Sequence, residues 1–115
     1  MIIKPEMLKT EVRENMRGGD GSVKLTHFVS AEQLYGKGRL FSTITLEKDC
    51  GIGYHTHDTD SEIFVIRSGS AEYNDCGNVT TVTAGDVLVC AAGEGHSIKN
   101  LSDTPVEITA LIIYA

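Results

Sequence analysis

Residues 51–62 read Gly-Ile-Gly-Tyr-His-Thr-His-Asp-Thr-Asp-Ser-Glu, and residues 85–100 read Gly-Asp-Val-Leu-Val-Cys-Ala-Ala-Gly-Glu-Gly-His-Ser-Ile-Lys-Asn. The first stretch holds two histidines, His55 and His57, separated by one residue. Side chains at positions i and i+2 of a strand point to the same face, so both imidazoles can reach one ion. A short turn after His57 can bring Glu62 back beside them, and the second stretch supplies His96 from a separate strand region.

These residue types predict a transition-metal site formed by His55, His57, Glu62 and His96. Three imidazoles and one carboxylate suit Mn, Fe, Co, Ni, Cu or Zn, whereas Ca and Mg sites are built from oxygen ligands. Four protein ligands on a six-coordinate ion leave positions free for water or substrate. An H-x-H pair by itself also occurs in exposed polar turns, so the prediction depends on the surrounding sequence.

The sequence on either side of these two stretches predicts strands and turns. Short β-rich runs separated by turn residues indicate a β-sandwich or barrel. Residues 40–46 alternate between two faces, and residues 74–78 form the clearest hairpin tip. The other strand candidates are residues 23–29, 62–66, 79–83, 86–90, 97–99 and 106–114.

Three further local predictions concern turns and helices. In residues 4–17, Met7, Leu8 and Val12 can form one side of a short helix. Residues 17–22 are glycine-dense and favour a hairpin turn over a phosphate cradle, because no strand-then-helix frame surrounds them. Residues 30–33 form a capping box that opens about one helical turn, and residues 49–53 predict a turn.

The two stretches resemble the two signature motifs of the cupin superfamily. The first motif of that family has a glycine, an H-x-H pair, a glutamate and a later glycine, which is met here by residues 51–62 and Gly69. The second motif, G-x5-P-x-G-x2-H-x3-N, is met by residues 85–100 with Ala91 in place of the proline. The family's first glycine falls at Asp49, and both departures are at turn positions rather than at ligands.

The resemblance implies an all-β, single-domain cupin double-stranded β-helix, a jelly-roll barrel with a short N-terminal extension. We expect residues 1–36 to form the extension and first strand, and residues 37–115 to form the barrel, within one domain overall. Carried over position by position, the family's ligands are His55, His57, Glu62 and His96, which hold one divalent transition metal per chain. The resemblance also implies that Asn100 ties down a turn through its side-chain amide.

The activities implied by the resemblance include those of dioxygenases, decarboxylases, sugar-phosphate isomerases and epimerases, and also sugar binding and sensing. The first hypothesis is an enzyme acting on a small polar metabolite, an organic acid or a sugar derivative, that chelates the metal. The alternative is a non-catalytic module that binds or senses a small ligand. No residue is identified as the general acid or base, and the sequence shows no clear lid segment.

Composition limits the partners. The formal net charge is −6, and the ten basic residues are scattered, which argues against nucleic acid and anionic membranes. No signal peptide or membrane span is expected, and three cysteines without paired spacing indicate free thiols in a reducing cytoplasm. If Glu62 points inward, Ile63 and Val65 point outward, so we expect a cover over that face. The cover is the N-terminal segment or a second subunit, and a homodimer is the expected state.

Several other residues receive weaker predictions. A half-buried, hydrogen-bonded role is favoured for His27 over an acid or base at the pocket mouth. The sequence leaves open whether Arg39 binds a substrate anion or is simply solvated, and it leaves the role of Tyr73 open in the same way. Asp58 and Asp60 are expected in a solvated turn, with Asp58 the candidate for a hydrogen bond to a ligand histidine. Tyr54 is expected to face away from the metal, and Cys90 to be a small core residue.

Overall fold

The structure is a computed structural model that describes all residues, 1–115. Short 3-10 turns lie at Pro5–Met7, Met16–Gly18 and Ala31–Leu34, and none of the helical segments is long or apolar enough to cross a membrane. The rest is built from ten strands: β1 (Lys9–Glu14), β2 (Ser22–His27), β3 (Gly38–Leu46), β4 (Gly51–Thr56), β5 (Asp60–Ser68), β6 (Ser70–Asp75), β7 (Asn78–Thr83), β8 (Val87–Cys90), β9 (Gly95–Lys99) and β10 (Val106–Tyr114).

The strands form two antiparallel sheets, which confirms the all-β fold class. The six-stranded sheet has the order β1-β2-β3-β10-β5-β8, and the four-stranded sheet has the order β4-β9-β6-β7. The hydrophobic core takes side chains from both sheets, such as Ile44, Phe64 and Ile108 from the first and Ile52 and Ile98 from the second. Because Phe64 and Ile108 are almost fully buried, each contributes about 1.5–3 kcal/mol to folding.

The alternation of burial along the strands follows the sequence pattern. In β3, Leu40, Ser42, Ile44 and Leu46 are buried while the residues between them are more exposed. In β5 the buried positions are residues 60, 62, 64 and 66. Glu62 therefore points into the barrel beside Phe64, as predicted, and Ile63 and Val65 lie on the outer face.

The predicted helix within residues 4–17 is wrong, since residues 9–14 form strand β1. This strand pairs antiparallel with β2, from Lys9 opposite His27 to Glu14 opposite Ser22. A lone helix with three apolar residues has little surface to bury, whereas pairing with β2 gives the segment inter-strand hydrogen bonds along one of its edges. The glycine-dense segment after Arg17 is the connection between the two strands, as expected.

The turn between β1 and β2 crosses β4 at very close range, and residues 15–19 are called the crossing turn below. A Cβ atom on Gly19 would lie 2.5 Å from the carbonyl oxygen of Gly51, and one on Gly53 would collide with the carbonyl oxygen of Arg17. The predicted turn at residues 49–53 therefore extends too far, because β4 begins at Gly51. Gly51 and Gly53 lie within strand β4, where the absence of a Cβ atom lets the backbones of other segments pack closely against it.

Two predicted local interactions are confirmed, a helix capping box and a turn held by a side-chain amide. The capping box is present at Ser30, whose backbone N–H donates to the Gln33 side-chain oxygen at 2.9 Å. Asn100 is fully buried, and its Nδ2 donates to the carbonyl oxygens of Leu46 at 2.9 Å and Thr104 at 2.8 Å. Its Oδ1 accepts from the backbone N–H of Ser102 at 2.8 Å. Asn100 thus joins the turn before β10 to the end of β3.

Candidate metal centre

The structure brings the four predicted ligands together into one cluster that can hold a metal ion. Their ligand atoms all lie within 4.8 Å of one another. His55 lies on β4 directly opposite His96 on β9, and His57 follows the last residue of β4. Glu62 comes from β5 in the other sheet. The cluster therefore spans the inside of the barrel from one sheet to the other.

The donor atoms converge closely. The Nε2 atoms of His57 and His96 are 3.1 Å apart, and they lie 3.2 Å and 3.1 Å from Oε1 of Glu62. All three of these residues are at most 5% exposed, whereas His55 is half-buried. Burying a carboxylate among three imidazoles is costly unless charge is balanced locally. The nitrogen and oxygen donors fit a divalent transition metal.

Outer hydrogen bonds fix the orientation of two imidazoles. Nδ1 of His55 lies 2.8 Å from the carbonyl oxygen of Gly53, and Nδ1 of His57 lies 2.6 Å from Oδ1 of Asp60. Both partners are acceptors, so each Nδ1 carries the proton and donates it. Each Nε2 is then left with a lone pair that faces the centre of the cluster.

The third imidazole is held by two buried aromatic residues. The hydroxyl of Tyr73 lies 2.9 Å from Nδ1 of His96, and the ring of Phe64 stacks on the imidazole with centroids 5.2 Å apart. Burial raises the pKa of the Tyr73 hydroxyl above its ordinary value, so the group stays protonated at neutral pH. Tyr73, whose role the sequence left open, is therefore an orienting partner of His96.

An aspartate contacts a histidine of the cluster, His57, but it is Asp60 rather than Asp58. Asp60 is 7% exposed and also accepts a hydrogen bond from Nε of Arg39 at 2.8 Å. It shares the inward face of β5 with Glu62, while Asp58 lies exposed in the preceding turn. The expectation of a solvated Asp60 is wrong for this reason. Arg39, left open by the sequence, binds a carboxylate of its own chain.

The surroundings shift the pKa values of the cluster in different directions. Burial lowers the pKa of His55, and the hydrogen bond to Glu62 raises the pKa of His57. Burial acts to raise the pKa of Glu62, but hydrogen bonds from His57 and His96 outweigh it and lower that pKa. Glu62 is therefore ionised at neutral pH, and His57 holds a proton more strongly than His55 does.

A cavity of about 190 Å³ lies beside the cluster. His55, His57 and Glu62 form one wall. Arg39 from β3 and three residues from β1 and the crossing turn extend it, namely Arg13, Met16 and Arg17. The aliphatic remainder of the lining consists of Leu25, Leu40, Ile44, Ile52 and Ile112.

Sequence reasoning did not identify Arg13, Met16 and Arg17 as cavity residues. Their segment is distant in sequence from the motifs, and no spacing rule connects the two. The available signal was the pair of glycines at positions 19 and 53, which permits two backbones to approach closely.

The remaining predicted residues lie outside the cluster. His27 is half-buried and its Nδ1 lies 2.6 Å from Oγ of Ser42, beside a separate cavity of about 370 Å³. This confirms its hydrogen-bonded role. Tyr54 is exposed, and Cys90 is 1% exposed, so both predictions are confirmed.

Comparison with known proteins agrees with this geometry. The family model for the cupin domain matches residues 42–114. The chain is 36% identical over 113 residues to a Thermotoga maritima protein named oxalate-binding protein, and the match covers 98% of this chain and 93% of the relative.

Two solved structures illustrate the range of similar proteins. A crystal structure described as a predicted oxalate decarboxylase from Thermotoga maritima superposes with a TM-score of 0.95 at 36% identity, and the match covers 100% of both chains. A sugar phosphate isomerase of the cupin superfamily from Silicibacter pomeroyi has a TM-score of 0.81 at 15% identity, with 100% of this chain and 76% of that chain covered, and shows the fold alone. With a family model matched over residues 42–114 and a relative similar over nearly its whole length, the chain belongs to the cupin family.

Proposed function

We propose that this protein binds a small carboxylate anion, with oxalate as the first candidate, at a divalent transition metal held by His55, His57, Glu62 and His96. The observation that carries the proposal is the position of the cluster. Three of its residues, His55, His57 and Glu62, line a cavity of about 190 Å³ whose lining also carries arginines. A divalent ion at the cluster would supply Lewis-acid attraction for carboxylate oxygens.

The charge of the cavity differs from that of the whole chain. The chain has a formal net charge of −6, yet Arg13, Arg17 and Arg39 all line this one cavity. Guanidinium groups match carboxylates in geometry and charge. The similarity to a protein named oxalate-binding protein also supports a small carboxylate ligand.

The cavity favours binding over catalysis. Outside the metal cluster its lining consists of aliphatic side chains, Met16 and the arginines, none of which exchanges a proton at neutral pH. Decarboxylation of a carboxylate requires a proton to be delivered to carbon. It is the second candidate because the structure with a TM-score of 0.95 is described as a predicted oxalate decarboxylase.

One experiment tests both candidates. The purified protein is loaded with Mn²⁺ and titrated calorimetrically with oxalate, next to His96→Ala and a matched control, His27→Ala, which lies outside the cluster. We expect about one metal per chain and oxalate binding in the wild type and in the control, and neither in His96→Ala. Oxalate recovered unchanged supports binding, whereas formate and CO2 support decarboxylation. If the metal-loaded wild-type protein does not bind oxalate, the proposal is refuted.

We also propose a homodimer formed through the outer face of the six-stranded sheet. Phe41, Leu111, Ile63 and Val89 lie opposite one another on neighbouring strands and form an uncharged row. Phe41 is 36% and Val89 54% exposed, because β1 extends the sheet at its edge instead of covering it. A second copy can bury the same row by two-fold symmetry.

Sedimentation equilibrium tests the dimer. We expect a dimer for the wild type and a monomer for Leu111→Glu, because a charge in the row would be buried without a partner. Thr81→Glu on β7, in the other sheet, is the control and should stay dimeric. A monomeric wild type at micromolar concentration would refute this interface.

A reducing cytoplasm is the location we propose for the protein. Cys50, Cys76 and Cys90 are all free thiols, as the sequence predicted. Cell fractionation with an antibody against the native chain tests this location, and recovery in an oxidising compartment would contradict it.

A further inference from the structure

The crossing turn holds an unfavourable backbone conformation at the cavity. Asn15 has φ 47° and Arg17 has φ 54°, both in the left-handed region. Asparagine tolerates this region, but arginine has no side-chain device that stabilises it. Backbone strain of this kind persists where surrounding contacts impose it, and it is concentrated at ligand-binding sites.

Several contacts impose the conformation. The Asn15 side-chain Nδ2 donates to the carbonyl oxygen of Gly19 at 3.1 Å, and the backbone N–H of Gly51 donates to the carbonyl oxygen of Asp20 at 2.9 Å. The carboxylate of Asp20 pairs with Lys99 at 2.7 Å. Gly19 lies against β4 with no room for a Cβ atom. The turn is therefore fixed on both sides of Arg17.

The three arginines of the cavity differ in their partners. Arg13 pairs with Glu11, its Nε donating at 2.7 Å, and Arg39 pairs with Asp60 at 2.8 Å. Arg17 forms neither an ion pair nor a side-chain hydrogen bond within the chain, although it lines the same cavity as His55. Arg17 is exposed, and it is the cavity-lining arginine whose side-chain donors are not engaged by another residue of the chain.

We infer that Arg17 is a specificity-determining residue that binds the second carboxylate group of a dicarboxylate ligand. The inference rests on the proposed function and deepens it. A ligand with two carboxylate groups can use one set of oxygens at the metal cluster and present others to the guanidinium. A monocarboxylate lacks the second group, so it gains little from Arg17. The strained turn then holds the backbone of Arg17 beside the cavity before the ligand arrives, which lowers the cost of bringing the side chain to the ligand.

The test compares two anions on Mn²⁺-loaded protein by calorimetry. Oxalate and acetate are titrated into wild type, Arg17→Gln and Arg17→Lys, with Arg67→Gln on the outer face of β5 as the matched control. Loss of a charge-assisted hydrogen bond should weaken oxalate binding on the order of tenfold to a hundredfold in Arg17→Gln. Acetate affinity should change less than threefold, and Arg17→Lys should recover part of the oxalate affinity.

A second variant guards against a folding defect at position 17. Gly19→Ala keeps Arg17 but adds a Cβ atom 2.5 Å from the Gly51 carbonyl oxygen, so it should displace the turn. We expect the same selective loss of oxalate binding, with manganese content unchanged. Wild type that binds neither anion would overturn the proposed function. Wild type and Arg17→Gln that bind oxalate equally would overturn the role of Arg17 alone, and so would equal losses for oxalate and acetate.

Discussion

Replacing Asp60 by asparagine should weaken metal binding about thirtyfold. Asp60 accepts two hydrogen bonds, from Nδ1 of His57 at 2.6 Å and from Nε of Arg39 at 2.8 Å. Asparagine offers one acceptor and one donor to these two donors, so one contact is lost in either orientation. A hydrogen bond to a charged group is worth roughly 1.5–3 kcal/mol, and loss of an outer partner of a metal ligand typically costs 10–100-fold in affinity.

The Arg39 side chain is 39% exposed, so water screens its contact with Asp60. The expected loss of metal-binding free energy is therefore about 2 kcal/mol, near the middle of the 10–100-fold range in affinity. A competition titration against a chromophoric chelator measures the metal affinity of Asp60→Asn. Asp58→Asn is the control, because Asp58 is exposed and two residues away. If Asp60→Asn binds metal within threefold of the wild type, the orienting role of this carboxylate is wrong.

Three further predictions concern stability, pH and thiol reactivity. Asn100→Ala should lose about 2–4 kcal/mol of unfolding free energy, because its buried amide satisfies three backbone groups; urea denaturation measures this, and exposed Asn78→Ala should change little. The apparent metal affinity should be highest at pH values well above the raised pKa of His57, because the metal requires the neutral imidazole, and it should fall as the pH drops through that pKa. Chelator titrations at several pH values between 8 and 6 check the direction, and an affinity that does not change with pH would contradict it. Exposed Cys76 should react quickly with a thiol reagent, whereas Cys90, buried and with its pKa raised to about 11, should react only on unfolding; equal labelling rates in the native protein would argue against this burial.

The sequence was informative where a short pattern determines a local geometry. Alternation in β5 placed Glu62 inside and Ile63 outside, because side chains alternate along any strand. The histidine spacing and the two motifs identified the cluster, since its members lie on strands whose pairing is set by the family fold. Asn100 was predicted from its motif position, and its amide contacts agree with that expectation.

The sequence was less informative where a contact joins distant segments. Strand β1 was predicted as a helix because its identity depends on pairing with β2, and a six-residue polar segment carries little intrinsic preference. The wrong aspartate was favoured because the strand was expected to begin at residue 62, whereas β5 begins at Asp60 and so places Asp60 on its inward face. Arg17 was missed because its position depends on the crossing of two backbones.

The position of β10 within the first sheet has a consequence for how the chain folds during synthesis. Strand β10 lies between β3 and β5, although it is the last strand in sequence. Until residues 106–114 have left the ribosome, β3 and β5 each lack a neighbour, and the buried faces of both strands stay open. His55, His57, Glu62 and His96 are all synthesised earlier, so all four residues of the cluster emerge before the barrel can close around them. The β1–β2 hairpin can form early from local contacts, whereas assembly of the cluster of three histidines and one glutamate depends on long-range pairing and should be among the last steps of folding.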